Sequence, residues 1–283
     1  MKFEIRCQLE YSQIYSTIFV FNIGVVENQY QRILGEQWHI DPPLTGEEYI
    51  SPSLKNRYLR LLVPGNTLRV QYEVTVEVFP VYVNPATIAA VPLSEIPLAV
   101  FHYLYPSRYC ESDRLLRLVQ HEFGKIRPGY SQVMAICDWI YENVTYLFGA
   151  SNTQTSAYDT ATERAGVCRD FAHLGIAFCR ALNIPARFVT GYAYGLDPAD
   201  FHAYFEAYLG NRWYIFDPTR LVPRTGLIRI GTGLDAADVS FATIFGSAEL
   251  ESMNLSIQGV PGYDPALLQL SDLTEAMITA DSP

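Results

Sequence analysis

The spacing of apolar residues changes once along this chain, and the change limits the folds that the chain can adopt. Within residues 1–80 apolar and polar side chains alternate with a period of two, as in the segment 69–78, which is typical of half-buried β-strands. After residue 110 the apolar residues recur every three to four positions, as on one face of a helix. Four prolines between residues 84 and 106 disfavour regular strands there and indicate an extended connector. We therefore place a domain boundary near residue 100.

The two periods predict an α+β protein that begins with an antiparallel β-rich N-terminal domain. In that domain the segments 58–63 and 69–78 flank a turn sequence at 64–67, so we expect them to form a β-hairpin. In the second domain we expect helices that begin near residues 112, 131 and 167, followed by strands over 186–192, 201–209 and 212–216. The predicted division is a β-rich domain over 1–95, an α+β domain over 96–257 and a loosely packed C-terminal segment over 258–283.

Composition argues against several functional classes. The chain has 283 residues, and 49% of them are hydrophobic, which is too high a fraction for a disordered protein. Its 30 acidic and 20 basic residues give a formal net charge of −10, so nucleic acid is not an expected partner. No apolar run approaches the ~18 residues of a membrane span, and Glu4, Arg6 and Glu10 do not suit a secretory signal. We expect a soluble, cytoplasmic protein with no membrane partner, and its oligomeric state stays open.

Cys168 stands out among five scattered cysteines because it lies at the start of the third predicted helix. Unpaired backbone N–H groups and the helix dipole favour a thiolate there. The same N–H groups can form an oxyanion hole, and Gly166 would let the backbone approach a substrate. The alternative is a structural role, since cysteines are among the most buried residues, and that interpretation fits Cys137 and Cys179.

A thiolate needs a base, and His202 is the best placed of the five histidines. His173 lies five residues after Cys168, which is about 140° around a helix axis, so we expect it to pack or to hydrogen bond away from the thiol. His202 lies on the predicted strand 201–209, whose alternation places it on one face with the later polar residues of that strand.

The turn Gly210-Asn211 predicts the partner of His202. A two-residue loop pairs Leu209 with Arg212, and Asp217 then becomes the same-face diagonal neighbour of His202. A loop one residue longer or shorter would place Asp217 on the opposite face. The register therefore predicts a His–Asp pair, to which the sulfur of Cys168 would add the third member of a catalytic triad.

Five segments around these residues carry a resemblance to a known family. They are residues 166–173, 180–187, 191–192, 201–204 and 216–219. Together they resemble the transglutaminase-like superfamily of cysteine enzymes, in particular its bacterial cysteine-peptidase-like branch. The resemblance implies a papain-like, transglutaminase-like catalytic domain, commonly preceded by a β-rich N-terminal domain.

The resemblance also implies an activity: a cysteine protease or amidase that cleaves peptide or side-chain amide bonds through a thioester. Its order of Cys, His and Asp assigns catalytic roles to Cys168, His202 and Asp217, with a peptide or protein amide as substrate and with no cofactor or metal. Val167 and Arg169 flank the cysteine where animal crosslinking enzymes have Gln and Trp, and no calcium loop is recognisable. Crosslinking activity is therefore not implied.

Three other functions stay open. One is an amine-accepting transglutaminase, although hydrolysis is the simpler outcome. Another is a catalytically silent scaffold, whose usual mark is loss of a triad member, and none is lost here. The last is a zinc site built from Cys168, His202 and Asp217, which are suitable ligands but would form a hydrogen-bonded line in the family-like arrangement.

Neighbouring positions have two interpretations each. Asp170 and Arg187 either support the site or form a salt bridge that holds the helix. Tyr192 either lines the cleft or is an ordinary strand aromatic. The segment 231–238 resembles a helix-entry loop near the site and is a weak candidate for a phosphate cradle.

Overall fold

The first 83 residues are built almost entirely from strands, as their period of two predicts. A computed structural model describes residues 1–260 and 275–281. The strands are β1 (Lys2–Gln13), β2 (Thr17–Phe21), β3 (Gln31–Asp41), β4 (Glu47–Ile50), β5 (Arg57–Val63), β6 (Asn66–Val78) and β7 (Val81–Val83). The proline-containing connector follows and forms three short 3₁₀ turns, Pro85–Thr87, Leu93–Glu95 and Phe101–Leu104.

Helices dominate the next part of the chain, and strands return after them. In order, the elements are α1 (Ser112–Phe123), α2 (Tyr130–Asn143), β8 (Thr145–Tyr146), α3 (Ala157–Glu163), β9 (Ala165–Gly166), α4 (Cys168–Ala181), β10 (Ala186–Ala193), β11 (Phe201–Leu209), β12 (Arg212–Phe216), β13 (Leu227–Gly233), β14 (Ala242–Phe245), β15 (Ala248–Gly259) and β16 (Ala276–Ile278). None of the helices in the described residues is both long and apolar enough to cross a membrane.

The N-terminal strands form two four-stranded antiparallel sheets around one apolar core. One sheet has the order β15-β1-β6-β3 and the other β14-β2-β5-β4. Alternate residues of β1, β2, β5 and β6 are buried in the core, which stabilises the pair of sheets by removing large side chains from water. Leu9, Phe19, Phe21 and Tyr72 are among the fully buried side chains of this core.

The predicted hairpin of segments 58–63 and 69–78 is wrong. β5 and β6 are consecutive in sequence, but β5 pairs with β2 and β4 whereas β6 pairs with β1 and β3. Each strand has a single apolar face, and each buries that face against the opposite sheet. The turn at Pro64 and Gly65 therefore carries the chain across the core and does not join two neighbours in one sheet.

Strands from near the end of the chain complete both N-terminal sheets. β15 pairs with β1 from Phe3↔Gly259 to Gln13↔Ala248, and β14 pairs with β2. These strands lie mostly within the sequence range 96–257, yet their hydrogen-bonding partners lie within the first 21 residues. The domain bounds proposed from the sequence stay a prediction.

The second part packs helices against one antiparallel sheet of order β12-β11-β10-β13. Helix α4 lies on β10 and β11, and α1, α2 and α3 cover it on the other side. The three predicted helices and three predicted strands are present, whereas the short α3, which begins with a Ser156/Asp159 capping box, was not predicted. The α+β class with an antiparallel β-rich N-terminal part is confirmed.

The C-terminal segment is better packed than the sequence suggests. β16 pairs with β7, and residues 276–280 are buried, so the expectation of loose packing is wrong for them. The Arg224 guanidinium also donates to the Glu275 carbonyl at 2.9 Å. The rest of the predicted loose segment, residues 261–274 and 282–283, lies outside the described residues.

Candidate active site

Cys168 is the first residue of α4, and it differs from the other cysteines in exposure. Its side chain is partly exposed, while the other four are buried: Cys7, Cys110, Cys137 and Cys179. Burial raises the pKa of Cys110 to about 12. Burial also holds the pKa of Cys137 well above its ordinary value. Of the five thiols, only Cys168 lies at a helix start, where backbone N–H groups favour negative charge.

Asp170 fixes the start of α4 from within its first turn. Its carboxylate accepts from the Val167 N–H at 2.9 Å and forms an ion pair with Arg169 at 2.9 Å. A Cβ on Gly166 would lie 2.7 Å from the Asp170 Cβ, so only glycine allows this close approach. The structure thus gives Gly166 a role in packing the helix start, and its expected role in letting the backbone approach a substrate stays a prediction.

His202 and Asp217 are brought together by the register of β11 and β12. Leu209 pairs with Arg212, as the turn sequence predicts, and the His202 Nε2 lies 2.7 Å from an Asp217 carboxylate oxygen. The predicted contact is therefore confirmed. The other carboxylate oxygen accepts from the Thr219 N–H at 3.0 Å and from the Thr219 hydroxyl at 2.7 Å. Because both oxygens have partners, the carboxylate is fixed in one orientation.

The charge on His202 is decided by opposing effects. Burial alone lowers the pKa of the imidazole, but the Asp217 carboxylate and the Cys168 sulfur outweigh it and raise the pKa to about 10. Nε2 is taken by Asp217, and Nδ1 has no hydrogen-bond partner among the described residues. The free Nδ1 gives the ring a nitrogen that can exchange a proton on the side away from Asp217.

Tyr146 also lies at the thiol, and the sequence analysis did not single it out. Its hydroxyl lies close to the side chain and the backbone of Cys168. Burial, followed by the charge on the Cys168 sulfur, raises the pKa of this phenol above its ordinary value. Tyr146 reaches this position because β8 pairs in parallel with β9, which ends two residues before Cys168. No local sequence pattern predicts the pairing of two-residue strands that lie 20 positions apart.

His173 packs inside the fold, as expected from its position around the helix. It is fully buried, its ring stacks on Tyr109, and its Nε2 accepts from the Ala236 N–H at 3.1 Å. Burial lowers the pKa of His173 to about 3, so the ring is neutral at ordinary pH. The expected helix-entry loop at 231–238 is not present, because residues 231–233 belong to β13 and a turn follows them.

The remaining candidates belong to the core. Arg187 donates to Glu206 at 2.7 Å, and Arg229 pairs with the same carboxylate. Tyr192 is fully buried and donates its hydroxyl proton to the Ile23 carbonyl at 2.8 Å, which ties the second sheet to the N-terminal sheets. Within residues 1–260 and 275–281 no cluster of three or more His, Cys, Asp and Glu side chains is arranged to hold a metal ion.

Fold and site together define a class of α+β proteins in which a cysteine at a helix start faces a His–Asp pair on an antiparallel sheet. The transglutaminase-like superfamily core matches residues 117–218, and the N-terminal domain of bacterial transglutaminases matches residues 1–98. The chain belongs to the transglutaminase-like superfamily, and the predicted family is confirmed.

Individual relatives agree with this membership. A crystal structure described as a putative cysteine protease from Cytophaga hutchinsonii is 45% identical, covers 99% of this chain and 98% of its own, and has a TM-score of 0.91. An uncharacterized protein of Mycobacterium leprae is 30% identical over 146 residues, which are 48% of this chain and 52% of that protein. An uncharacterized protein of Mycobacterium bovis is 29% identical over 176 residues, 55% of each chain. The chain thus spans about half the length of the curated relatives it matches.

Proposed function

We propose that this protein is a cysteine-dependent acyl-transfer enzyme that hydrolyses peptide or side-chain amide bonds. The observation that carries the proposal is the 2.7 Å hydrogen bond between His202 and Asp217, next to a partly exposed Cys168 at the start of α4. In this proposal Cys168 is the nucleophile, His202 is the general acid and base, and Asp217 orients the imidazole. The description of the Cytophaga relative as a putative cysteine protease supports the same reaction class.

The reaction would proceed in two steps. The Cys168 sulfur attacks the amide carbonyl carbon, and His202 donates a proton from Nδ1 to the leaving amine as the carbon–nitrogen bond breaks. The product of this step is a thioester on Cys168. A water molecule then attacks the thioester carbon, His202 accepts the water proton, and the carboxylic acid leaves as the thiolate and imidazolium are restored.

Two groups are positioned to stabilise the negative oxygen that forms in each step. The Cys168 backbone N–H lies at the positive end of α4, and the Tyr146 hydroxyl lies beside it. Hydrogen-bond donors of this kind are worth roughly 10²–10³ in rate.

A catalytically silent scaffold is the main alternative. A scaffold would not need a partly exposed thiol beside a buried His–Asp pair, and all three groups are retained here. Amine transfer instead of hydrolysis differs only in the molecule that attacks the thioester. Water is the simpler acceptor, and we therefore place hydrolysis first.

A peptide-library experiment tests the proposal directly. Untreated protein, iodoacetamide-treated protein and the Cys168→Ala variant are incubated with the library in oxygen-18 water, and products are read by mass spectrometry. We expect new carboxyl groups labelled with oxygen-18 from untreated protein only, with Cys137→Ala as an active control. Products that also arise from Cys168→Ala would overturn the assignment of the nucleophile, and products without the label would indicate amine transfer.

A further inference from the structure

Phe148 is a large apolar side chain that is exposed near the site, and the proposed triad leaves it without a role. It is 65% exposed. Its ring packs edge-on against the Tyr146 ring, with the two ring centroids 5.5 Å apart. The Tyr146 ring also contacts the buried ring of Phe171 in α4, at a centroid distance of 5.7 Å. The three rings therefore form a row from the core to the surface, and Phe148 is its exposed end.

The chain segment that carries this ring, residues 147–152, is held beside the nucleophile at two points. The N–H of its first residue donates to the Gly166 carbonyl at 2.9 Å. At its other end, the Asn152 carbonyl accepts from the Arg169 guanidinium at 2.7 Å. Gly166 and Arg169 lie on either side of Cys168 in the sequence, so the segment runs beside the start of α4. The exposed ring is thus held near the thiol by hydrogen bonds at both ends of its segment.

An exposed aromatic ring in this position favours an apolar ligand group. Covering the ring with another apolar group removes the surface of both from water, whereas a charged group placed there would lose part of its hydration. Because the hydrogen bonds to Gly166 and Arg169 already hold the segment 147–152, binding costs little conformational entropy of the chain. The ring of Phe148 is therefore a preorganised contact for an apolar side chain.

We propose, on the basis of the function proposed above, that Phe148 is a specificity-determining residue that selects a substrate with an aromatic or large aliphatic side chain in its acyl part. The reacting carbon carries an oxygen, a leaving amine and the acyl chain. The oxygen meets the Cys168 N–H and the Tyr146 hydroxyl, and the amine faces His202 on β11. The acyl chain is the group that remains, and its side chain covers the ring of Phe148.

Chloromethyl ketones test this preference without any turnover. The Cys168 sulfur displaces chloride from such a reagent and forms a thioether, and the group on the ketone takes the place of the acyl chain. N-acetylphenylalanyl and N-acetylglycyl chloromethyl ketone differ only in the benzyl side chain. Their rates at Cys168, followed by mass spectrometry, are divided by their rates with free cysteine. We expect these corrected rates to favour the phenylalanyl reagent by about tenfold.

Variants at two equally exposed phenylalanines separate this contact from a general change in the site. Phe148→Ser should lower the ratio of the two corrected rates to about one, and Phe148→Leu should keep part of the preference. The ratio is the readout because a shift of Tyr146 in the variant would slow both reagents alike. Phe245→Ser is the matched control, since Phe245 is 62% exposed on β14 in one of the N-terminal sheets, and it should leave the ratio unchanged.

Amide substrates test on which side of the cleaved bond the ring acts. One pair has a phenylalanyl or a glycyl acyl part on the same amine, and a second pair has the same two residues in the amine part. Phe148→Ser should lower kcat/KM about tenfold more for the phenylalanyl acyl part than for the glycyl one. A loss confined to the aromatic amine part, or a reactive Cys168 that treats both ketones alike, would overturn the role of Phe148 and leave the proposed function intact. A Cys168 that reacts with neither the ketones nor iodoacetamide would overturn both.

Discussion

His202 lies between two groups that favour its protonated form, the Asp217 carboxylate and the Cys168 sulfur. Its pKa of about 10 means that the ring keeps its proton far above the pH at which an exposed histidine loses it. The imidazole is therefore already protonated before substrate binds, and in the proposed reaction this proton would pass to the leaving amine. The carboxylate that holds this arrangement is itself fixed by Thr219.

This raised pKa predicts how the His202 interaction depends on pH. The folded state binds the proton more tightly than the unfolded chain does, so the stabilisation is fully present below about pH 6.5 and is lost as pH rises towards 10. The free energy of unfolding of wild type minus that of His202→Gln, measured by urea denaturation, should be largest near pH 6 and should shrink steadily up to pH 10. A difference that grows over this range would contradict the pairing.

We predict that Asp217→Asn separates the reactivity of the Cys168 thiol from catalytic turnover. Asparagine keeps the shape and the contact with Thr219, but it no longer holds the imidazole in its protonated, correctly oriented form. We expect kcat to fall by roughly 10³–10⁴-fold, as for a triad with an amide in place of its acid. Alkylation of Cys168 should fall much less, because the start of α4 still favours the thiolate. Thr219→Val should lower kcat in the same way but by less. A normal kcat in Asp217→Asn would contradict the role of Asp217.

At the scale of elements, the short parallel pairing of β8 with β9 brings Tyr146 next to Cys168. It joins the segment that carries Tyr146 to the segment that leads into Cys168, and the Leu147 N–H donates to the Gly166 carbonyl at 2.9 Å. The rest of the site comes from one tight turn, Gly210 and Asn211, which sets the register of β11 and β12. Helix and sheet meet because α4 packs on β11.

Gly166→Ala should destabilise the helix start. The new Cβ would lie 2.7 Å from the Asp170 Cβ, so the turn before α4 must move or Asp170 must leave the Val167 N–H. A loss of ~1–3 kcal/mol in the free energy of unfolding is expected, as for other overpacked sites. Gly35→Ala is the matched control, since nothing lies within 4 Å of its added Cβ. Equal urea midpoints for both variants would show that the close approach is unimportant.

The same elements show what the sequence can and cannot predict. The His202–Asp217 contact was predictable because a two-residue turn fixes the register locally, and Cys168 was recognisable because a helix start is a local feature. Tyr146 was missed because its placement depends on the pairing of two segments that lie 20 positions apart. The β5–β6 hairpin was wrongly predicted for a related reason: alternation identifies a strand with one apolar face, but it does not say in which sheet that strand pairs.

At the scale of the whole molecule, the N-terminal sheets and the second part of the chain share an apolar core and share strands. Tyr192, Ile228 and Ile230 of the second sheet lie in the same apolar cluster as the N-terminal sheets. The Tyr192 hydroxyl bonds to Ile23, and β15 runs alongside β1 for its whole length. The N-terminal part therefore supports the strands that carry the candidate site. The cytoplasmic location of the protein and its partners stay predictions.

This joint core predicts one cooperative unfolding transition. Urea curves followed by far-ultraviolet circular dichroism report all strands and helices, while a probe attached to Cys168 reports the site. The two curves should coincide, because neither part can lose its contacts without exposing the apolar residues of the other. A site signal that is lost at clearly lower urea than the strand signal would show that the second part unfolds by itself.

The central claim is that Cys168 is a nucleophile activated by the His202–Asp217 pair, and its alkylation rate tests that claim most directly. Folded protein is treated with iodoacetamide at pH 6, where a thiol with a pKa near 8.5 is almost fully protonated, and each cysteine is followed by mass spectrometry. We predict that Cys168 reacts far faster than buried Cys137 and Cys179, and that His202→Ala slows this reaction while the folded state is retained. If Cys168 reacts no faster than the buried cysteines, and its rate is the same in His202→Ala, the account is wrong.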